Sequence, residues 1–246
     1  MNKKYAFILA LLITGLLASN FYLFSSSLKS KRESIIISRV IDGDTLVAED
    51  GRLLRLLNIN APEKNFFNSK KSLEFLNSLA GKETEADFSD IDKYHRSLVR
   101  IYSPDYINLK LVELGLASKF LVNAGELEDF STAESLAIES GLGIWNHSSY
   151  FGCFKSNINE KKEVINLRNI CKDIDVNDWT IKDESRKVYK FPNLSLGEIN
   201  IHSGNGIDNS TDIYWKSKTD IWNDDRDSLY LFDNKERIAH YEVYGY

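Results

Sequence analysis

Ile35-Ile36-Ile37-Ser38-Arg39-Val40-Ile41, Asp42-Gly43-Asp44, Thr45-Leu46-Val47-Ala48, Glu49-Asp50-Gly51 and Leu53-Leu54-Arg55-Leu56-Leu57 follow one another in the first quarter of the chain. Each apolar run is short and rich in strand-forming residues, and each break pairs Gly with Asp. Strand, glycine turn, strand, glycine turn, strand is the pattern of an antiparallel meander. Asn60-Ala61-Pro62-Glu63 then ends it, because proline has no N–H to give to a central strand.

Working outward, residues 69–79 have helical spacing, with Leu73, Leu76 and Leu79 on one face and Phe75 beside them. Strands are expected over 83–88 and 98–102. A second helix is expected over 106–116, with Leu109, Val112 and Leu116 in line and Gly115 near its end. A third is expected over 130–140, stopping at Gly141-Leu142-Gly143-Ile144-Trp145. From Cys153 onward the texture changes to short strand-like runs separated by Gly, Asn and Asp: Val164-Ile165-Asn166-Leu167, Trp179-Thr180-Ile181, Val188-Tyr189-Lys190-Phe191, Ile199-Asn200-Ile201-His202 and Leu229-Tyr230-Leu231-Phe232. Such spacing suggests an antiparallel sandwich with no helix.

In the other direction, Lys3 and Lys4 precede an uncharged, largely apolar stretch over 5–28. It is long enough to cross a bilayer as one helix. It also has the layout of a secretory signal, with Ser25, Ser26 and Ser27 after the apolar middle. Anchor and cleaved signal both stay open, and the long apolar run without a sharp Ala-x-Ala site leans toward an anchor. Lys29, Lys31 and Arg32 on the far side balance the N-terminal lysines, so charge does not fix the orientation. Either way the chain is expected to be membrane-anchored with extracytoplasmic domains, or secreted.

The 246 residues suit two compact domains of ordinary size, or one large one. With 43% hydrophobic and 12% aromatic residues, global disorder is excluded. A net charge of −5 argues against a protein that coats nucleic acid non-specifically, but not against one that grips a single phosphate. The two cysteines, Cys153 and Cys171, permit one disulfide in an exported chain, whereas two free thiols would suit a reducing compartment. His95, His147, His202 and His240 have no metal-binding spacing and are read as structural or surface residues.

Charged residues gather at the strand edges of the first half. Asp42 and Asp44 sit in a tight turn, Glu63 follows a proline, Arg55 lies between leucines, and Arg96 ends Asp92-Lys93-Tyr94-His95-Arg96. Cleavage of a phosphodiester needs these types: hard oxygen ligands for Ca²⁺, a carboxylate for the water, and guanidinium forks for the phosphate. Each alone is ordinary. Asp-Gly-Asp is common in plain turns, and an arginine between leucines suits the solvated face of a strand. The ordered combination carries the reading.

That combination resembles the thermonuclease (staphylococcal nuclease-like) family: Val40-Ile41-Asp42-Gly43-Asp44-Thr45, Arg55-Leu56-Leu57-Asn58-Ile59-Asn60-Ala61-Pro62-Glu63, Asp92-Lys93-Tyr94-His95-Arg96 and Gly141-Leu142-Gly143-Ile144-Trp145, in this order. The resemblance covers about 35–147. It implies an α+β fold, an OB-type five-stranded barrel with three helices, and Ca²⁺-dependent cleavage of DNA and RNA leaving 3′-phosphates. By the same resemblance Asp44 is a calcium ligand, Asn60 stands where the family has a second carboxylate ligand, and Ala61 offers its backbone carbonyl. Glu63 positions or deprotonates the water, Arg55 and Arg96 clamp the phosphate, and Lys93 and Tyr94 contact the nucleotide's phosphate and sugar. Asn60 departs from the pattern: it keeps an oxygen but loses a charge, which implies weaker calcium binding.

The second half resembles the lamin-tail domain, an all-β immunoglobulin-like sandwich. The carrying residues are Val164-Ile165-Asn166-Leu167-Arg168-Asn169, residues 175–183, Phe191-Pro192, Ile221-Trp222-Asn223-Asp224 and residues 227–233, with Trp179 and Trp222 as core anchors. The expected map is therefore an N-terminal hydrophobic helix with its linker over 1–34, a nuclease-like barrel over 35–149 and a lamin-tail-like sandwich over 150–246. The expected partners are a DNA or RNA substrate and, if the N-terminal helix is uncleaved, a membrane; the sequence names no partner for the tail domain. The competing readings are a nucleic-acid-binding module with a dead site, and an envelope scaffold in which the sandwich is the working part. Loss of Arg55, Glu63 or Arg96 would favour the binding module, and all three are present.

Overall fold

The computed structural model describes residues 13–16, 32–62, 69–172, 174–185 and 187–245. Apart from helical residues 13–16, the N-terminal hydrophobic segment lies outside the described residues, and so does Glu63. Among the described residues no helix is long and apolar enough to cross a membrane.

Strands β1 (Glu33–Val40), β2 (Thr45–Ala48) and β3 (Leu53–Leu56) form the antiparallel meander, with Val40 opposite Leu46 and Leu46 opposite Leu54. A register shift between Ile37 and Arg39 lets β1 bend. The early part of β1 thereby pairs with β5 (Glu83–Ile91), which pairs in turn with β6 (Ser97–Ser103). The sheet closes where β6 runs parallel to β3, Leu54 beside Ser97 and Leu56 beside Val99. Closure removes the open edges that a five-stranded sheet would otherwise expose. Ile37, Leu46, Leu54, Leu56, Val99 and Ile101 fill the interior with the inward residues of each strand. A two-residue ladder of β4 (Ile59–Asn60) with β8 (Ser118–Lys119) lies beside the barrel, and β7 (Asp105–Tyr106) extends β6.

Three helices cover the barrel: α1 (Ser69–Asn77), α2 (Ile107–Glu113) and α3 (Leu127–Glu139). Helix α2 is shorter than its apolar spacing suggests. Gly115 turns to φ +63°, and Ile144 donates its N–H to the Gly115 carbonyl at 2.8 Å. A Cβ on Gly115 would come within 2.3 Å of the Leu142 carbonyl oxygen. The chain therefore leaves the helix early so that two backbone segments can cross, and only glycine allows both the angle and the approach.

The second half holds two four-stranded sheets around one core. One has the order β16 (Asp212–Tyr214), β15 (Glu198–His202), β10 (Val164–Asn169), β9 (Phe154–Asn159); the other β13 (Val188–Lys190), β12 (Thr180–Lys182), β17 (Asp227–Phe232), β18 (Ile238–Tyr244). A short pair joins β11 (Ile174–Asp175) to β14 (Ser195–Leu196). Pairing is antiparallel except between β15 and β16, which run parallel. Trp179 and Trp222 lie in the core with Ile165, Leu167, Ile201, Leu229 and Leu231. A disulfide joins Cys153 to Cys171, with 5.3 Å between their Cα atoms.

The halves also share a core. Ala137, Ile138, Ile144 and Trp145 pack with Tyr230, Phe232 and Ile238, and the Trp145 ring lies 5.0 Å from Tyr230 and 6.3 Å from Phe232 between centroids.

Candidate active site

The turn between β1 and β2 is shaped by its own side chains. Asp42 Oδ1 accepts the Asp44 N–H at 3.1 Å, a local contact that aspartate makes readily in turns. Gly43 is required for space: a Cβ there would stand 2.6 Å from the Ala61 Cβ and 2.9 Å from the Ser72 Cβ. The turn is thus pressed against both the end of β4 and helix α1. Ser72, in α1, donates its hydroxyl to the Leu116 carbonyl at 2.5 Å and holds the helix at this distance.

Pressed there, Asp44 is only 4% exposed. Its Oδ2 accepts the Ala61 N–H at 3.0 Å and lies 3.1 Å from Arg55 Nη2. Its Oδ1 accepts the Thr45 hydroxyl at 3.1 Å. Arg55 is buried, contrary to a solvated strand face, and donates to the Leu56 carbonyl and, at 2.9 Å, to the Ile59 carbonyl. A buried guanidinium is tolerable because carbonyls and a carboxylate meet its donors.

Arg96 reaches the same turn from the opposite hairpin. Its Nη1 donates to the Thr45 hydroxyl at 3.4 Å. Asp92 holds it from behind, accepting Arg96 Nε at 2.8 Å and the Arg96 N–H at 3.0 Å. Burial pushes the Asp92 carboxyl up, but the Arg96 amide and guanidinium with the Tyr94 amide outweigh it and leave the group below the usual carboxylate range. His95 takes φ +63° to close this tight hairpin. Tyr94 stays exposed at the rim, with Lys93 Nζ 5.1 Å and the Arg96 guanidinium 5.4 Å from its ring centroid.

The structure thus brings Asp44, Asn60, Ala61, Arg55 and Arg96 together and sets Lys93 and Tyr94 beside them. Sequence reasoning gives Thr45 and Asp92 no role, yet Thr45 links Arg96 to Asp44 and Asp92 holds Arg96 from behind, whereas Arg55 meets Asp44 directly. Asn60 is 6% exposed in β4. The chemistry of the donor set, namely the Asp44 carboxylate, the Asn60 amide oxygen and the Ala61 carbonyl, suits a hard cation such as Ca²⁺. Arg55 already offsets the Asp44 charge, so the cation's attraction there is reduced. Of the histidines, His147 Nε2 lies 2.6 Å from the Ile138 carbonyl oxygen, and His202 Nε2 lies 2.8 Å from Asp212. Among the described residues no cluster of three or more His, Cys, Asp or Glu side chains is placed to hold a metal.

A closed five-stranded barrel carrying helices is an OB-type domain, and its buried acidic turn with two converging arginines is an arrangement able to meet a phosphate group. Residues 53–147 match the model of the staphylococcal nuclease homologue family. An Escherichia coli O157:H7 protein described as an uncharacterized endonuclease is 37% identical over 123 residues, which cover 45% of this chain and 75% of that protein. A second protein so described, from Escherichia coli, matches to the same extent. The chain belongs to the staphylococcal nuclease homologue family.

Proposed function

We propose that this chain is a calcium-dependent nuclease that hydrolyses phosphodiester bonds of DNA, RNA or both, exported or membrane-anchored. The observation that carries this is the convergence of Arg55 and Arg96 on the Asp44–Thr45 turn. Two guanidinium groups, one fixed in β3 and the other in the hairpin before β6, can each meet phosphate oxygens with paired donors. Asp44, Asn60 and Ala61 would hold Ca²⁺, which when bound polarises the phosphate. Glu63, in sequence just beyond Ala61 and Pro62, takes a proton from water. The water oxygen bonds to phosphorus as the bond to the 5′-oxygen breaks, and the 5′-oxygen leaves as a hydroxyl after taking a proton from solvent, so that the product keeps a 3′-phosphate. The arginines act most strongly on the charge that grows on the phosphate oxygens during this step. Lys93 and Tyr94 contact the nucleotide at the rim.

The export segment over 1–34 and the Cys153–Cys171 bridge support an oxidising location. The second half, with two sheets around a tryptophan-anchored core, supports an immunoglobulin-like, lamin-tail-like module. The test of the activity is cleavage of DNA and RNA by the purified chain in calcium and then in chelator. Cleavage in calcium that stops in chelator is expected. No cleavage, or cleavage indifferent to chelator, overturns the reading, and in the first case the binding-module alternative replaces it.

A further inference from the structure

Lys119 has no part in the chemistry proposed above, yet its side chain is only 1% exposed. A buried ammonium is costly unless its donors are met. Its Nζ lies 3.0 Å from Glu134 Oε2 and 3.6 Å from Glu184 Oε2, and it donates to Ser228 Oγ at 2.6 Å. Glu134 belongs to α3 of the barrel half, whereas Glu184 and Ser228 belong to the second half. The same carboxylates grip the backbone around Lys119. Glu134 accepts the Lys119 N–H at 2.8 Å, and Glu184 accepts the Leu121 N–H at 3.2 Å. Tyr230 adds its hydroxyl to Glu134 at 3.0 Å.

Lys119 also belongs to β8, the strand that pairs with β4. Ile59 is opposite Lys119 and Asn60 opposite Ser118, and the Ser118 hydroxyl donates to the Asn60 carbonyl at 3.1 Å. One residue further, the Ala61 N–H reaches Asp44. A ladder of two residues has few bonds of its own and gains rigidity from what it is tied to. Here the tie is a directional, buried ion cluster whose other side is the second half of the molecule.

We propose that Lys119 is a positioning residue. Through it the second half fixes β8 against β4 and so sets where Asn60 and Ala61 stand relative to Asp44. This inference rests on the reading of those three residues as the cation-holding group. The test uses the full chain and two variants, Lys119→Met, which keeps the stem and removes the ammonium, and Ser228→Ala, which removes one acceptor. Calcium affinity is measured by calorimetry without substrate, and amide hydrogen exchange is followed at Ile59, Asn60 and Ala61. Lys119→Met is expected to weaken calcium binding about 5- to 10-fold and to speed exchange at the three amides, with turnover at saturating calcium retained. Ser228→Ala is expected to shift both readouts in the same direction by less. If the variants only melt at a lower temperature, with calcium affinity and exchange unmoved, Lys119 is merely structural and the proposal falls. Should Lys119→Met not fold, Ser228→Ala decides alone by the same criteria. If the unaltered chain binds no calcium, the underlying reading fails separately, and the exchange rates still decide the coupling.

Discussion

Carboxylates do different work in the two halves of the molecule. In the barrel half several of them hold guanidinium groups, Asp44 with Arg55, Asp92 with Arg96 and Glu126 with Arg100 at 2.6 Å, while Asp42 and Glu134 take backbone N–H groups. In the second half they mostly replace backbone ladders in loops. Asp227 accepts the N–H groups of Ser228, Glu184 and Asn223, Asp183 that of Lys187, and Glu163 those of Ile221 and Trp222. Asp233 does both, taking the Lys235 N–H and the Arg237 side chain. Net charge is therefore a poor guide to what the site can bind. Much of the acidity stabilises turns in which buried N–H groups would otherwise lack partners, whereas the local charge at the Asp44–Thr45 turn is set by the placement of two arginines.

The most severe way to break this contrast is Arg96→Ala. If the barrel's charges serve chemistry, turnover should fall by about 10²–10³ while the circular dichroism spectrum stays that of the parent. Arg96→Lys should recover only part of it, because an ammonium lacks the two-pronged geometry. Near-parental turnover in Arg96→Ala would end the catalytic reading.

A smaller effect, in stability, belongs to the second half. Burial pushes the Asp227 carboxyl up to about 6, and burial pulls the His240 imidazole down to about 4. The signs oppose. An acid whose pKa is raised on folding contributes stability that is present below its unfolded value, near 4, and lost as pH rises through about 6. An imidazole whose pKa is lowered contributes stability that is present above its unfolded value, near 6.5, and lost as pH falls toward about 4. Each is worth on the order of 2–3 kcal/mol, so between pH 4 and 6.5 they largely offset. His240→Gln should therefore make the melting temperature rise on acidification from pH 7 to 5, and Asp227→Asn should make it fall. Two flat, parallel profiles would show that these groups do not titrate with folding.

The smallest effect sharpens the barrel side. Asn60→Asp restores a second negative oxygen donor beside Asp44, and calcium affinity measured by calorimetry should rise several-fold. Weaker binding would mean that position 60 faces away from the cation.

The meander was legible because alternation and glycine turns are local signals, and Asp44, Arg55 and Arg96 were legible because they lie in recognisable strings. Their mutual contacts were not. Thr45 looks like any strand-starting threonine, and only closure of β6 on β3 brings Arg96 to its hydroxyl. Ser72 lies one turn before Leu76 on the buried face of α1, but a serine among leucines does not announce that it packs against the Gly43 turn. In the second half β9 and β18 carry a weak strand signal. Phe154-Lys155-Ser156-Asn157-Ile158-Asn159 is mostly polar, and His240 and Glu242 interrupt the apolar run of β18 while reaching Ser156 across the sheets. Lys119 gave no signal at all, since its buried partners come from residues 15 to 109 positions away.

The Trp145 ring ends the barrel's last motif but is roofed by Tyr230 and Phe232. A joint in which one module's final side chain is covered by its neighbour works as a lid: substitutions around the ring are cushioned only while the cover is in place. A barrel cut free of its neighbour would therefore expose the Trp145 ring to water, so the two modules are coupled in solubility as well as in stability.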